Sequence, residues 1–249
     1  MRTLFLPALL LFLFVHGLYG QRVADVKRPP LTIAVVNNSA FVTDDEVAQW
    51  TAAVALQVSR DLAPVWKVDA DVIFQQTPPA GAWVCTLVDG APPASGYPLG
   101  THTVGTDGTP TCTVNAGLVV QSQLGPVSMP LSHEIIEMLV DPYLSSMTLA
   151  PASDPTSATV YLREPCDPVA AYGYLINGVT VSDFTYPDFW RGGFPPAGSK
   201  LDQLGIAIVT LTPTPSSYMM VRYISTFGGI NSLNVWTYIW GSYCAFGPC

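Results

Sequence analysis

The chain has 249 residues, of which 49% are hydrophobic and only 11% charged, with 23 Pro and 20 Gly. Its 18 Asp+Glu against 10 Lys+Arg give a formal net charge of -8, so it lacks the basic footprint of a nucleic-acid binder. The apolar content, with 11% aromatic residues, disfavours a disordered chain and is enough for one domain-sized core, or a domain with a tail.

Met1–Gly20 reads as a secretory leader: Arg2 is the positive start, Leu4–Val15 the apolar core, and Gly17 and Gly20 the small residues before a cut at Gln21. The apolar run is about a dozen residues, short of the ~20 that span a bilayer. No later stretch reaches that length, so the expectation is a secreted chain without a transmembrane span. Arg2 leaves with the leader, so nine Lys+Arg then face 18 Asp+Glu. The five cysteines, Cys85, Cys112, Cys166, Cys244 and Cys249, pair by default in an oxidising compartment. Cys85 with Cys112 and Cys244 with Cys249 are the expected pairs, leaving Cys166 free. Asn37-Asn38-Ser39 is a glycosylation sequon, usable where it is exposed.

In chain order, Leu31–Val36 reads as a buried strand. A helix follows, with Thr43 and Glu46 as a capping box and Asp44 and Asp45 at the positive end of its dipole; Pro64 is expected to stop it. Val72–Gln75 and Trp83–Val88 read as strands, Ala91–Pro110 as a polar loop and Thr113–Gln121 as a strand. Ser128–Val140 reads as a second helix, ended by Asp141-Pro142 because the residue before proline disfavours helical angles. Short strands are expected at Thr159–Leu162, Tyr174–Val181, Ile206–Thr210 and Tyr218–Ile224. From Tyr223 to Cys249 no residue is charged, while Phe227, Trp236, Tyr238, Trp240, Tyr243 and Phe246 crowd in. Such a tail must pack on its own domain, on a partner or oligomer, or on a membrane surface.

Only Ser132-His133-Glu134-Ile135-Ile136-Glu137-Met138-Leu139-Val140-Asp141-Pro142 carries evident chemistry. At ~100° per residue, His133, Glu134, Glu137 and Asp141 share one arc of the helix. Apart from Ser132, the rest of the circumference is Ile, Met, Leu and Val, so the helix is buried on most sides. Carboxylates in a dry interior need water, basic partners or a cation, and basic partners are scarce. His133 and Glu137, one turn apart, can grip one ion, with Glu134 beside it to polarise a water. Asp141 lies ~12 Å from His133 along the axis and is placed to orient a ligand or cap the next turn. For the third ligand, Arg163-Glu164-Pro165-Cys166-Asp167-Pro168 offers Glu164 first and Asp167 second, with His102 third. A hydrated acidic stripe and a calcium site are the alternatives.

Ser132-His133-Glu134-x-x-Glu137-x-x-x-Asp141-Pro142, followed by Glu164-x-x-Asp167, resembles the zincin metalloprotease superfamily. More narrowly, it is similar to secreted zincin-like proteins that pair a His-Glu-x-x-Glu helix with a downstream acidic motif near a cysteine. The likeness covers Leu31–Asp183. It departs from the usual His-Glu-x-x-His at Glu137 and offers no matching third histidine; Met147 is placed for a methionine turn by position alone. A second carboxylate ligand weakens the ion as a Lewis acid.

The resemblance implies an α/β (α+β) zincin-like fold: a mixed twisted sheet with two main helices, the second bearing the motif, and an irregular β-rich C-terminal part. The expected organisation is a signal peptide at 1–20, the domain at 21–221 and an uncharged tail at 222–249. One reading is a metallopeptidase acting on protein or peptide substrates, with His133, Glu137 and Glu164 on the metal and Glu134 as general base. The alternative is a non-catalytic zincin-like binding or structural protein. Zn2+ is the expected ion, with Ca2+ or no metal as alternatives.

Overall fold

The computed structural model describes residues 31–90, 98–150, 157–225 and 236–241. The expected leader, the Cys244–Cys249 pair and the tail aromatics Phe227, Tyr243 and Phe246 lie outside them. β1 (Thr32–Asn37) is the β-branched run, fully buried over Ile33–Val35. Asn37, the sequon residue, donates its amide to Val42 O at 3.1 Å and Asp44 Oδ1 at 2.8 Å, which ties the strand to the start of α1 (Asp44–Gln57). The capping box of α1 is present, with Glu46 Oε2 2.8 Å from Thr43 N.

Pro64 does not stop this helix. A π-turn at Val58–Leu62 intervenes and the chain resumes as α2 (Ala63–Trp66), with Pro64 in the first turn, where a missing N–H is tolerated. Lys67, at φ 60°, closes it by donating to Ala63 O at 3.0 Å.

β2 (Asp71–Phe74) and β3 (Trp83–Val88) flank β1 in parallel. β4 (Gly100–Val104) is a strand where the sequence suggested a loop. It runs antiparallel to β5 (Pro110–Asn115), and its alternation is plain there: His102 is buried between exposed Thr101 and Thr103. The strand expected to continue to Gln121 ends at Asn115, whose side chain accepts from Leu118 N at 3.0 Å and caps α3 (Ala116–Gln121). The sheet order is β2-β1-β3-β5-β4, with β4 its antiparallel edge. Cys85 and Cys112, register neighbours on β3 and β5, form the expected disulfide.

α4 (Ser128–Val140) has the expected bounds. α1 packs on β1 and β2, α4 on β4 and β5, and the two helices touch. The core between them and the sheet includes Val47, Val54, Leu87, Leu131, Ile135 and Met138.

A second, antiparallel sheet contains β6 (Met147–Leu149), β7 (Ser157–Leu162), β10 (Tyr218–Ser225) and β11 (Trp236–Trp240), in the order β11-β10-β7-β6. Met147 is therefore half-exposed in a strand and not in a turn. β10 crosses residue 221, and β11 brings part of the aromatic segment into this sheet. Packed against α4 and α1, β8 (Gly173–Ile176) and β9 (Val179–Ser182) form a hairpin closed by Asn177 and Gly178, both at positive φ as a two-residue turn requires. The strand expected at Ile206–Thr210 is absent: the Asp202 carboxylate takes the N–H groups of Gly205, Ile206 and Ala207 and bends the chain into a turn. Among the described residues, no helix is long and apolar enough to cross a membrane.

The same Asp202 affects Asp183. Burial, and then the negative charge of Asp202, push the Asp183 carboxyl up to about 7. Its folded value lies above the ordinary ~3.9, so Asp183 contributes full stability below pH ~4 and loses it as pH rises through about 7. The expected loss is of order 4 kcal/mol. Chemical denaturation of Asp183→Asn between pH 4 and 8 is expected to show that much less pH dependence than the wild type. Equal slopes would contradict the assignment.

Candidate metal centre

α4 reaches the site with an almost entirely buried surface; besides its apolar residues, Ser132, Glu134 and Glu137 are inside. Ser132 is satisfied locally, donating to Met129 O at 2.9 Å and accepting from Ser182 N at 2.6 Å. Asp141 fulfils the capping expectation: its carboxylate takes the N–H groups of Ser145 and Ser146 at 2.9–3.0 Å. Its carbonyl oxygen is 3.2 Å from His102 Nε2.

The loop after β7 folds over the open side of α4. Pro165 O is held by Thr185 N at 2.7 Å and Thr185 Oγ1 at 2.8 Å, and a 3-10 turn begins at Asp167. Glu137 Oε1 accepts from Cys166 N at 3.1 Å and Asp167 N at 3.2 Å, which binds the loop to the helix. Glu137 Oε2 faces His133 Nε2 at 3.2 Å. Asp167 Oδ1 is also 3.2 Å from His133 Nε2, and its charge, after burial, pushes the pKa of the neighbouring Tyr218 hydroxyl up. The buried Cys166 thiol lies within ligand reach of His133 and Glu137. Glu164 points elsewhere, with Oε2 3.7 Å from His102 Nε2. His102 Nδ1 is 3.7 Å from Glu134 and 4.0 Å from Glu137.

Thus α4, the β7 loop and β4 bring together all the residues singled out in the sequence. Asp167 meets His133, whereas Glu164 meets His102. Tyr218 had no signal in the sequence. The role of His102 was masked because its strand is short, polar and read as loop; the Thr-His-Thr alternation was the available clue.

Glu134, Glu137, Glu164 and Asp167 are only 4–6% exposed. Among the described residues no Lys or Arg pairs with any of them; Arg163 turns to Met147 O and Thr148 Oγ1. Burial, and then the charges of Glu137, Asp167, Asp141 and Glu134, push Glu164 well above the usual carboxylate range. Burial and Glu137 take Asp167 up to about 7. Burial opposes a charge on His133, yet Glu137 and Asp167 outweigh it and hold its pKa well above normal. Glu137 is the exception: burial disfavours its charge, but His133 and the Cys166 N–H lower it overall. The cluster thus crowds four carboxyl groups against two imidazoles, and protons or a cation must neutralise what the imidazoles do not. Glu164 Oε2, buried without a hydrogen-bond partner, belongs to a carboxylate that has ligand atoms of His102 and Glu137 within 4.8 Å, which fits a divalent cation.

A cavity of about 660 Å³ opens on this cluster, with His133 and Glu134 in its lining. Leu99, Gly100, Met129, Tyr218, Tyr238 and Trp240 contribute to its walls. No family model matches the chain, and no curated protein or solved structure matches it either.

Proposed function

We propose that the chain is a secreted, zincin-like metallopeptidase that hydrolyses peptide bonds in the cavity beside α4. The observation that carries this reading is that His133 Nε2 faces Glu137 Oε2 and Asp167 Oδ1, each at 3.2 Å, next to Glu134 in the cavity lining. His133, Glu137 and Asp167 would hold a divalent cation, which when bound acts as a Lewis acid and makes water a nucleophile at neutral pH.

The protein groups do the rest. Burial raises the Glu134 pKa, partly offset by His102 and His133, which suits a carboxylate to take a proton from the attacking water and return it to the leaving amine. Tyr218, whose hydroxyl neighbours Asp167, would orient that carboxylate. β4 has one edge unpaired among the described residues, and Leu99 and Gly100 at its start line the cavity. An extended peptide can add to that edge by main-chain hydrogen bonds, its side chains meeting Tyr238 and Trp240.

Gly100 is required by this packing. A Cβ there would lie 2.5 Å from Glu134 Cγ and 2.6 Å from its Oε1. Gly100→Ala is expected to displace the base and lower kcat about 10-fold or more with the melting temperature nearly unchanged; unaltered kcat would contradict the placement of Glu134.

The reading is tested with purified protein on denatured casein and on a mixed peptide library. Expected is cleavage abolished by a chelator and restored by Zn2+. A protein that retains its metal and cleaves neither would favour the non-catalytic alternative.

A further inference from the structure

Glu137 Oε2 stands between two imidazoles, 3.2 Å from His133 Nε2 on the cavity side and 4.0 Å from His102 Nδ1 behind it. The rear group is a separate constellation. His102, Glu137 and Glu164 are all buried, and each offers one ligand atom within 4.8 Å of the other two. They come from three elements, β4, α4 and the loop after β7. Two further facts point to a ligand there. Glu164 Oε2 is buried, 3.7 Å from His102 Nε2, and has no hydrogen-bond partner, an arrangement that is costly unless something positive completes it. The second is that, among the described residues, no Lys or Arg pairs with Glu137 or Glu164, so the structure offers no basic side chain in that place.

We propose that His102, Glu137 and Glu164 form a second cation site, buried behind the cavity and sharing Glu137 with the first. One imidazole nitrogen and two carboxylates suit a divalent transition-metal ion better than Ca2+, which favours an all-oxygen shell. His102 and Glu164 do not line the cavity, so this ion is structural: it joins β4 to α4 and the β7 loop and holds Glu137 in place. The site stands independently of the proposed peptidase activity.

The test is calorimetric titration of metal-stripped protein with Zn2+, with elemental analysis, on wild type, His102→Ala and His133→Ala. Glu164→Gln, close in shape to the native residue, is the second rear-site variant in case His102→Ala does not fold. The expected result is two equivalents for wild type and one for each variant. One equivalent in wild type, lost in His133→Ala and kept in the rear variants, overturns the second site and leaves the peptidase reading standing. One equivalent lost only in the rear variants supports this site and removes the metal from the peptidase reading. One equivalent lost in every variant means a single shared ion and overturns the two-site proposal, as does no binding at all.

Discussion

Glu134→Gln is expected to lower kcat/KM for peptide cleavage by about 10²- to 10⁴-fold, the usual share of a positioned general base, without loss of metal. The amide keeps the size and shape of the side chain against Gly100 but cannot take a proton. Because Glu134 is a buried carboxylate raised by desolvation, removing its charge costs the fold nothing, and the melting temperature is expected to hold or rise. Steady-state kinetics with elemental analysis on the same preparation checks both parts. Activity within a few-fold of wild type, with metal bound, would remove Glu134 from the chemistry.

The second large effect falls on Glu137, which serves two functions through its two oxygens. Oε1 satisfies the Cys166 and Asp167 N–H groups, and Oε2 faces the histidines. Glu137→Ala removes both functions, leaving two buried N–H groups unpaired and the ion without its central ligand. With metal at about 1,000 times its dissociation constant, the lost linkage alone is ~4 kcal/mol, a fall of roughly 8–16 °C in melting temperature for a domain of this size. Glu137→Gln separates the two functions, since its carbonyl can still accept from the loop while its charge is gone. Expected is a Gln variant that melts near the metal-stripped wild type and no longer responds to a chelator. A Gln variant as chelator-sensitive as wild type would show that the ion does not depend on Glu137.

How much of this was legible in the sequence follows from how local each signal is. The bounds of α4 are set by its apolar periodicity and by Asp141-Pro142, and the α1 capping box by residues three apart, so both were readable. The acidic stripe was readable because four polar side chains on a greasy helix need an explanation. Pro64 misled because a π-turn placed it in a fresh first turn. β4 was hidden because an edge strand of Gly, Thr and His has little apolar pattern, and its pairing with β5 is long-range information. The division of labour between Asp167 and Glu164 depends on how the loop after β7 folds over α4, through Glu137 Oε1 and Thr185. No spacing rule contains that. Tyr218 reaches Asp167 only through the second sheet.

The central claim is that this buried acidic cluster is completed by a cation. Anomalous diffraction at the zinc edge, from crystals of protein purified without chelator, tests it directly. The expected result is a peak ~2.0–2.2 Å from His133 Nε2 and from oxygens of Glu137 and Asp167. A map without a peak, in which His133 and the carboxylates lie in direct hydrogen bonds with one another, would mean that protons alone neutralise the cluster and would contradict the claim.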